Sequence, residues 1–243
     1  MHEGPTKKLA HKLFPQYNYG NIAAEDYMQY LESVIESGLL DELKKADYME
    51  AFEQLKITGR NYKPGEAVFF EGDLIDKFCI VRKGSVRSEK TYLNGEVHII
   101  DIFDEGAVFG LAVAASRSRV TAVDFISNED TTIVFVSMHS IRKNKFANEM
   151  QKALTYMLAD SNIKMSNKIE ILAERGLRDR IMVYLHVLQA KSGTDTVTIR
   201  MSREQLAQFL CVNRSALSNE LSKMKKEGII DFKGPRFTIL EKK

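Results

Sequence analysis

Cysteine is scarce in this sequence, and long apolar runs are missing. Two of the 243 residues are cysteines, Cys79 and Cys211, which lie far apart and outside any CxxC pair. This pattern is typical of a reducing compartment and two free thiols. The longest apolar runs, such as 112–115 and 133–136, are far shorter than a membrane span, and the basic start of the chain is not followed by the apolar stretch of a signal peptide. We therefore expect a cytoplasmic protein that makes no contact with a membrane.

The residue patterns of enzymes and metal sites are missing as well. The five histidines never fall at ligand spacing such as HxH or HExxH. The sequence has no Ser-His-Asp or Cys-His arrangement, no Walker loop, no GxGxxG and no pair of carboxylates framed by glycines. We therefore expect a protein that is not an enzyme and that holds no metal and no cofactor.

Charge is distributed unevenly along the chain. Residues 1–172 contain 21 Lys and Arg against 25 Asp and Glu, whereas residues 173–243 contain 14 against 8. A net charge of −4 is thus followed by one of +6. A basic segment of this size after an acidic one indicates contact with a polyanion.

The spacing of apolar residues changes along the chain. Residues 21–56 carry them at three- and four-residue spacing, which predicts helix with a break at Gly38. From residue 59 to about 137, short apolar runs alternate with turn residues, including the hairpin signal Asn94-Gly95, which predicts an antiparallel β-sandwich or barrel. A narrow stripe then predicts one helix of roughly thirty residues. Its members are Phe146, Met150, Leu154, Met157, Ser161, Met165, Ile169 and Leu172.

A helix of this length needs a partner along its side. The stripe either packs on the β-domain or forms the seam of a dimer, and its near-heptad spacing favours the dimer. Gly176 is the predicted hinge at its end.

The basic tail has the pattern of a winged helix-turn-helix. Helices are predicted over 178–190, 203–210 and 214–227, followed by a hairpin around 233–235. Ser202 and Gln205 form a capping box, and Asn213 is placed to cap the helix after the turn. That helix buries its apolar residues and exposes Arg, Ser and Asn, which suit base edges and phosphates. The predicted DNA-binding residues are Ser202, Arg203, Asn213, Arg214, Ser215, Ser218, Asn219, Ser222, Lys225 and Lys226.

From about residue 55 onward the sequence resembles the Crp/Fnr family of bacterial transcription regulators. The resemblance lies in KPGEAVFFEGD (63–73), IVRKGSVR (80–87), YLNGEVHIIDIFDEGAVFG (92–110) and MSREQLAQFLCVNRSALSNELSKMKKEGII (201–230). It implies an α+β fold with an antiparallel, jelly-roll-like β-roll as sensor domain, a long dimerisation helix and a C-terminal winged helix-turn-helix domain. The predicted domains are a helical extension (1–54), the β-roll (55–140), the dimerisation helix and hinge (141–175) and the DNA-binding domain (176–243).

The resemblance also implies a mode of action. A homodimer joined along 141–173 would place its two recognition helices, 214–226, in successive major grooves of a near-palindromic operator. RNA polymerase is a candidate further partner. The alternative is a sensory or scaffold module that does not bind DNA and uses the β-roll to hold a small apolar ligand. The recognition helix departs from the family pattern at Ser215 and Asn219, and its Glu220 replaces a usually apolar residue without an evident reason.

The effector of such a regulator is left open. Members that bind cyclic AMP have a Gly-Glu-Leu start and an Arg-Ser pair, but here Gly110 is followed by Leu111 and Ala112, and Thr121-Ala122 replace the pair. A cyclic nucleotide is therefore not expected, and the ligands of iron–sulfur and haem members are missing too. The β-roll then either binds a small apolar effector or is filled by its own side chains. The candidate pocket residues are Phe109, Gly110, Leu111, Arg119, Thr121, Ala122, Val123, Ser166 and Asn167.

Overall fold

The computed structural model describes residues 24–240, with side chains from residue 26 onward. This part of the chain divides into two compact units. The first unit contains the chain up to Arg87 and Ile102–Leu158, and the second contains Ser88–Asp101 and the chain from Ala159 onward. The part of the predicted helical extension before residue 24 lies outside the described residues.

The N-terminal segment of the first unit is helical and packs on the β-strands of its own chain. Helix α1 (Ala24–Glu36) is followed by a 3-10 turn (Lys45–Asp47) and by α2 (Tyr48–Glu53). The predicted break at Gly38 is confirmed, because this residue has a φ of +83°. Leu31, Val34 and Phe52 belong to the same buried core as Phe78 and Val134 of the β-roll.

The β-roll consists of two four-stranded sheets. One sheet has the order β1-β8-β3-β6 and the other the order β2-β7-β4-β5. The strands are β1 (Ile57–Tyr62), β2 (Ala67–Phe69), β3 (Lys77–Lys83), β4 (Val86–Thr91), β5 (Val97–Phe103), β6 (Val108–Phe109), β7 (Asp124–Ser127) and β8 (Thr131–Ser137). Antiparallel pairing sets Cys79 opposite both Phe109 and Phe135. The predicted hairpin at Asn94-Gly95 is confirmed, with the Tyr92 amide donating to the Glu96 carbonyl at 2.9 Å.

One glycine of the β-roll is required by its surroundings as well as by its backbone. Gly84, between β3 and β4, has a φ of +81°, and a Cβ there would lie 2.6 Å from Thr131 Oγ1 and 2.8 Å from the Asp130 carbonyl oxygen. Both the conformation and the space therefore exclude a side chain.

The predicted long helix after the β-roll is confirmed, and a separate short helix precedes it. A short helix α3 (Leu111–Ala115) follows β6, and beyond β8 come α4 (Met138–Lys143) and α5 (Ala147–Ala173). Asn144 separates α4 from α5, because its backbone is extended and its side-chain oxygen accepts from the Phe146 amide at 3.0 Å. Asn144 Nδ2 also donates to the Ala51 carbonyl at 2.7 Å, which anchors the start of α5.

The C-terminal part of the second unit has three helices and a three-stranded sheet. The helices are α6 (Leu177–Ser192), α7 (Arg203–Phe209) and α8 (Arg214–Lys226). The predicted hairpin consists of β10 (Ile230–Lys233) and β11 (Arg236–Ile239), and β9 (Thr196–Thr198), which was not predicted, pairs with β11. Within residues 24–240, no helix has the length and apolar character needed to cross a membrane.

Candidate nucleic-acid interface

Helices α7 and α8 both begin at the predicted N-terminal caps. Ser202 Oγ accepts from the Gln205 amide at 3.1 Å, and Gln205 Oε1 accepts from the Ser202 amide at 2.9 Å, so the capping box is confirmed. Asn213 Oδ1 accepts from the Ala216 amide at 2.8 Å and thereby starts α8. Between them, Cys211 has a φ of +55°, which turns the chain sharply.

Helix α8 has one buried and one open face. Leu217, Leu221 and Met224 are at most 1% exposed and fasten the helix to its unit. The opposite face carries the polar residues predicted to bind DNA, all of them exposed: Arg214, Ser215, Ser218, Asn219 and Ser222. Asn213 and Lys226, at the two ends of the helix, are exposed as well.

Two residues predicted to bind DNA contact the wing of their own chain. The guanidinium of Arg203 lies 5.0 Å from the ring centre of Phe232 and 4.7 Å from that of Phe237. Burial between these rings lowers the pKa of Arg203. Lys225 pairs with Asp231 at 2.5 Å and donates to the Phe232 carbonyl at 3.1 Å. A role of these two side chains in contacting DNA stays a prediction.

An ion-pair cluster explains the acidic residue in α8. Arg178, near the start of α6, donates from Nε to Glu220 at 2.7 Å and from Nη1 to Glu227 at 2.6 Å. The hydrogen bonds that Arg178 donates to Glu227 and Glu220 raise the pKa of Arg178, and the bond to Glu227 lowers the pKa of that carboxylate. Glu220 thus occupies a usually apolar position because it has a cation of the neighbouring helix as its partner.

The candidate pocket residues of the β-roll lie mainly in its core. Phe109, Leu111 and Thr121 are 2%, 6% and 1% exposed, and Thr121 Oγ1 donates to the Val123 carbonyl at 2.8 Å. Gly110, with a φ of +73°, precedes α3, while Ala122 is exposed and Val123 is half-buried. With Leu111 in the core, this short helix offers no carboxylate for a ribose hydroxyl.

The interior of the β-roll holds a cluster of aromatic rings. The ring of Phe109 lies 5.5 Å from that of Phe103 and 5.2 Å from that of Phe125, measured between centroids. Phe69 continues the cluster, 6.2 Å from Phe125 and 6.2 Å from Phe135. Of the two alternatives for the β-roll, this packing favours a filled barrel.

The remaining candidate pocket residues do not belong to the aromatic cluster. Arg119 is exposed, and its backbone, with a φ of +55°, accepts from the Ile75 amide at 2.8 Å. Ser166 is exposed and Asn167 half-buried on the part of α5 that belongs to the second unit. Their share in a pocket stays a prediction.

Models of known protein families match both the β-roll and the C-terminal helix-turn-helix segment. A family model of the cyclic nucleotide-binding domain matches residues 59–145, and one of the Crp-like helix-turn-helix domain matches residues 179–243. The global nitrogen regulator of Synechococcus elongatus is 22% identical over 197 residues, which cover 76% of this chain and 87% of that protein. The transcriptional activator FnrL of Cereibacter sphaeroides is 22% identical over 210 residues, with coverages of 80% and 81%.

The chain belongs to the Crp/Fnr family. It is a DNA-binding transcription regulator of the Crp/Fnr type. A solved relative supports the fold: FixK2 from Bradyrhizobium japonicum superposes with a TM-score of 0.63 at 20% identity, over 77% of this chain and 94% of that one.

The burial of residues along α5 of this Crp/Fnr regulator differs from that expected for the predicted dimer seam. Met150 and Leu154 are 0% and 5% exposed and pack in the core of their own chain, so the stripe is not one continuous dimer seam. Only the first part of the stripe is buried, because Ser161, Met165 and Ile169 are exposed and every residue from Ala159 to Ser166 is exposed. One face of the helix, called the open face below, carries small or short polar residues at near-heptad spacing: Thr155, Ala159, Asn162, Ser166 and Ala173. Exposed apolar residues accompany it: Tyr156, Ile163, Met165 and Ile169.

Proposed function

We propose that this regulator acts in the cytoplasm as a homodimer that binds a near-palindromic operator, with each α8 in a major groove. The open polar face of α8, fixed by the cap at Asn213, carries the proposal. The net charge of +6 over residues 173–243 supports it, because DNA attracts a basic surface. Two α8 helices related by a two-fold axis would meet half-sites about 34 Å apart.

The open face of α5 supports the proposed dimer. It carries four short side chains at steps of four, three and four residues: Thr155, Ala159, Asn162 and Ser166. This spacing keeps one face of a helix in register with a second helix, and a single Asn in such a seam favours one register. Short side chains allow close approach, and the flanking Tyr156 and Ile163 are 53% and 60% exposed in the single chain, so that a second copy would bury them.

For the sensor we propose a filled β-roll that binds no cyclic nucleotide. Phe109 and Leu111 fill the space next to Gly110, and neither supplies the carboxylate that a ribose hydroxyl requires. The regulator then binds its operator without an effector in the β-roll.

The test of DNA binding is a selection of bound duplexes from random DNA by the purified, ligand-free chain at two salt concentrations. We expect a palindromic motif and an affinity that falls steeply with salt. Arg214→Ala and Ser218→Ala should lower the affinity for the selected duplex. The matched control Lys191→Ala removes an exposed cation outside the helix-turn-helix and the wing, and should leave affinity nearly unchanged. Weak, unpatterned binding that is insensitive to Arg214→Ala would contradict the proposal.

The dimer is tested by the same substitution at two serines of α5. Ser161 belongs to the stripe predicted from sequence, whereas Ser166 lies on the open face, and both are exposed. Sedimentation should show that Ser166→Glu dissociates the dimer, since it places two carboxylates in one seam, and that Ser161→Glu does not. The reverse result would move the seam back to the predicted stripe.

A further inference from the structure

The second unit contains a lysine that is almost entirely buried. Lys168, on the last part of α5, is 8% exposed. Its Nζ donates to the Ile99 carbonyl of β5 at 3.3 Å and to the Phe209 carbonyl at the end of α7. It also lies over the ring of Phe209. A buried ammonium is retained at such a place only when its hydrogen bonds are made.

The end of α7 is held by a second cation. The Leu210 carbonyl accepts from Arg180 Nη1 at 3.1 Å, and Arg180 Nε donates to the Glu174 carbonyl at 2.8 Å. The last carbonyls of a helix lack partners within the helix and carry a partial negative charge. Lys168 and Arg180 therefore satisfy the two carbonyls that immediately precede the turn into α8.

We propose that Lys168 is a positioning residue for DNA binding, whose ammonium fixes the end of α7, and with it the turn into α8, against α5 and the β4–β5 hairpin. The proposal rests on the DNA-binding function proposed above. The turn begins only two residues after Phe209, so a shift of this carbonyl displaces Cys211 and the cap residue Asn213. The hairpin segment Ser88–Asp101 belongs to the same compact unit as α7 and α8.

Because Lys168 is charged, its proposed role can be tested by the pH dependence of DNA binding. Burial lowers the pKa of Lys168 to about 7, against smaller opposite effects of Cys211 in the turn and Asp101 on β5. The ammonium therefore loses its proton near neutral pH, and a neutral amine donates weaker hydrogen bonds to the two carbonyls. The affinity for DNA should fall as the pH rises through 7.

Stability should respond with the opposite sign. Between pH 7 and its ordinary value, Lys168 binds a proton in the unfolded chain but not in the folded one, so its contribution to the free energy of unfolding rises with pH in that window. If Lys168 affected the affinity for DNA only through the stability of the fold, affinity and stability would change with pH in the same direction.

The experiment compares the full chain with Lys168→Met and with the control Lys164→Met, which removes an exposed lysine of the same helix. The affinity for the selected duplex is measured at pH 6 and pH 8, and hydrogen–deuterium exchange of the Cys211–Asn213 amides is measured without DNA. All proteins carry His98→Gln and His186→Gln, which removes both histidines from the second unit.

At pH 6, Lys168→Met should weaken binding by on the order of tenfold, remove the excess loss of affinity at pH 8, and speed exchange of the turn amides. Lys164→Met should change none of these. If Lys168→Met keeps the affinity, the pH dependence and the exchange of the parent, the proposal is overturned. If neither the parent nor the variants bind DNA, the proposed function is wrong. Unchanged exchange of the turn amides in Lys168→Met would then also contradict the role of Lys168 in fixing the turn. Should Lys168→Met not fold, the pH dependence of the parent decides, because an affinity that is flat from pH 6 to pH 8 contradicts the role.

Discussion

Truncation of Phe109 measures whether the β-roll is filled. The side chain is 2% exposed, and its ring contacts those of Phe103 and Phe125 at centroid distances of 5.5 and 5.2 Å. Replacing a buried phenylalanine by alanine costs about 3–5 kcal/mol, since apolar contacts are lost and a cavity remains. Each ring pair adds about 0.5–1.5 kcal/mol beyond the buried area, which places Phe109→Ala near the upper end of that range.

The assay is urea unfolding followed by far-ultraviolet circular dichroism. A matched control is Phe70→Ala in the same unit, because Phe70 is 62% exposed and its loss should change the free energy of unfolding by less than about 0.5 kcal/mol. Phe109→Ala should also gain stability from benzene, which binds to an apolar cavity of this kind. A loss below about 1 kcal/mol would mean that Phe109 lines an existing cavity, and would refute the filled barrel.

Three further predictions concern single residues. Asn213→Ala should lower the free energy of unfolding by about 1 kcal/mol in urea titrations, whereas Asn213→Asp, which keeps the accepting oxygen, should be nearly neutral. Burial raises the pKa of Cys79 well above its usual value, so a thiol reagent at pH 8 should modify Cys211 in the native protein and Cys79 only after unfolding; rapid labelling of both would contradict this packing. Gly84→Ala should lower the melting temperature by several degrees in a thermal scan, because φ +81° and the contact with Thr131 both oppose a Cβ; an unchanged melting temperature would contradict the turn.

The helix-turn-helix was predictable because its signals are local. Ser202 and Gln205 lie three residues apart, and Asn213 stands three residues before the amide that it caps, so both interactions depend on spacing alone. The turns of the β-roll were predictable for the same reason, since Asn-Gly specifies a tight hairpin.

Interactions between distant segments could not be predicted in this way. Arg178 and Glu220 are 42 residues apart, and only the packing of α6 on α8 brings them together. Arginine often contacts phosphate, but the folded wing places the ring of Phe237 beside the guanidinium of Arg203. Strand β9 has three residues and exists because β11 pairs with it.

The long helix shows a different limit of hydrophobic patterns. An apolar stripe indicates which side of a helix is buried but not what covers it. Met150 and Leu154 were predicted to lie in a dimer seam, but they pack in the core of their own chain. The face proposed for the dimer is made mostly of Ser, Thr, Asn and Ala, which contribute little to a hydrophobic pattern.

The separation of attached and exposed faces on α8 has an evolutionary consequence. Leu217, Leu221 and the Arg178–Glu220 pair attach the helix from one side, while Ser215 and Asn219 on the other side have no part in that attachment. In the proposed binding mode, substitutions at these two positions would retarget the regulator to new operators at little cost in stability. A duplicated copy of the gene could diverge in its target genes through one or two such changes while its fold stays the same.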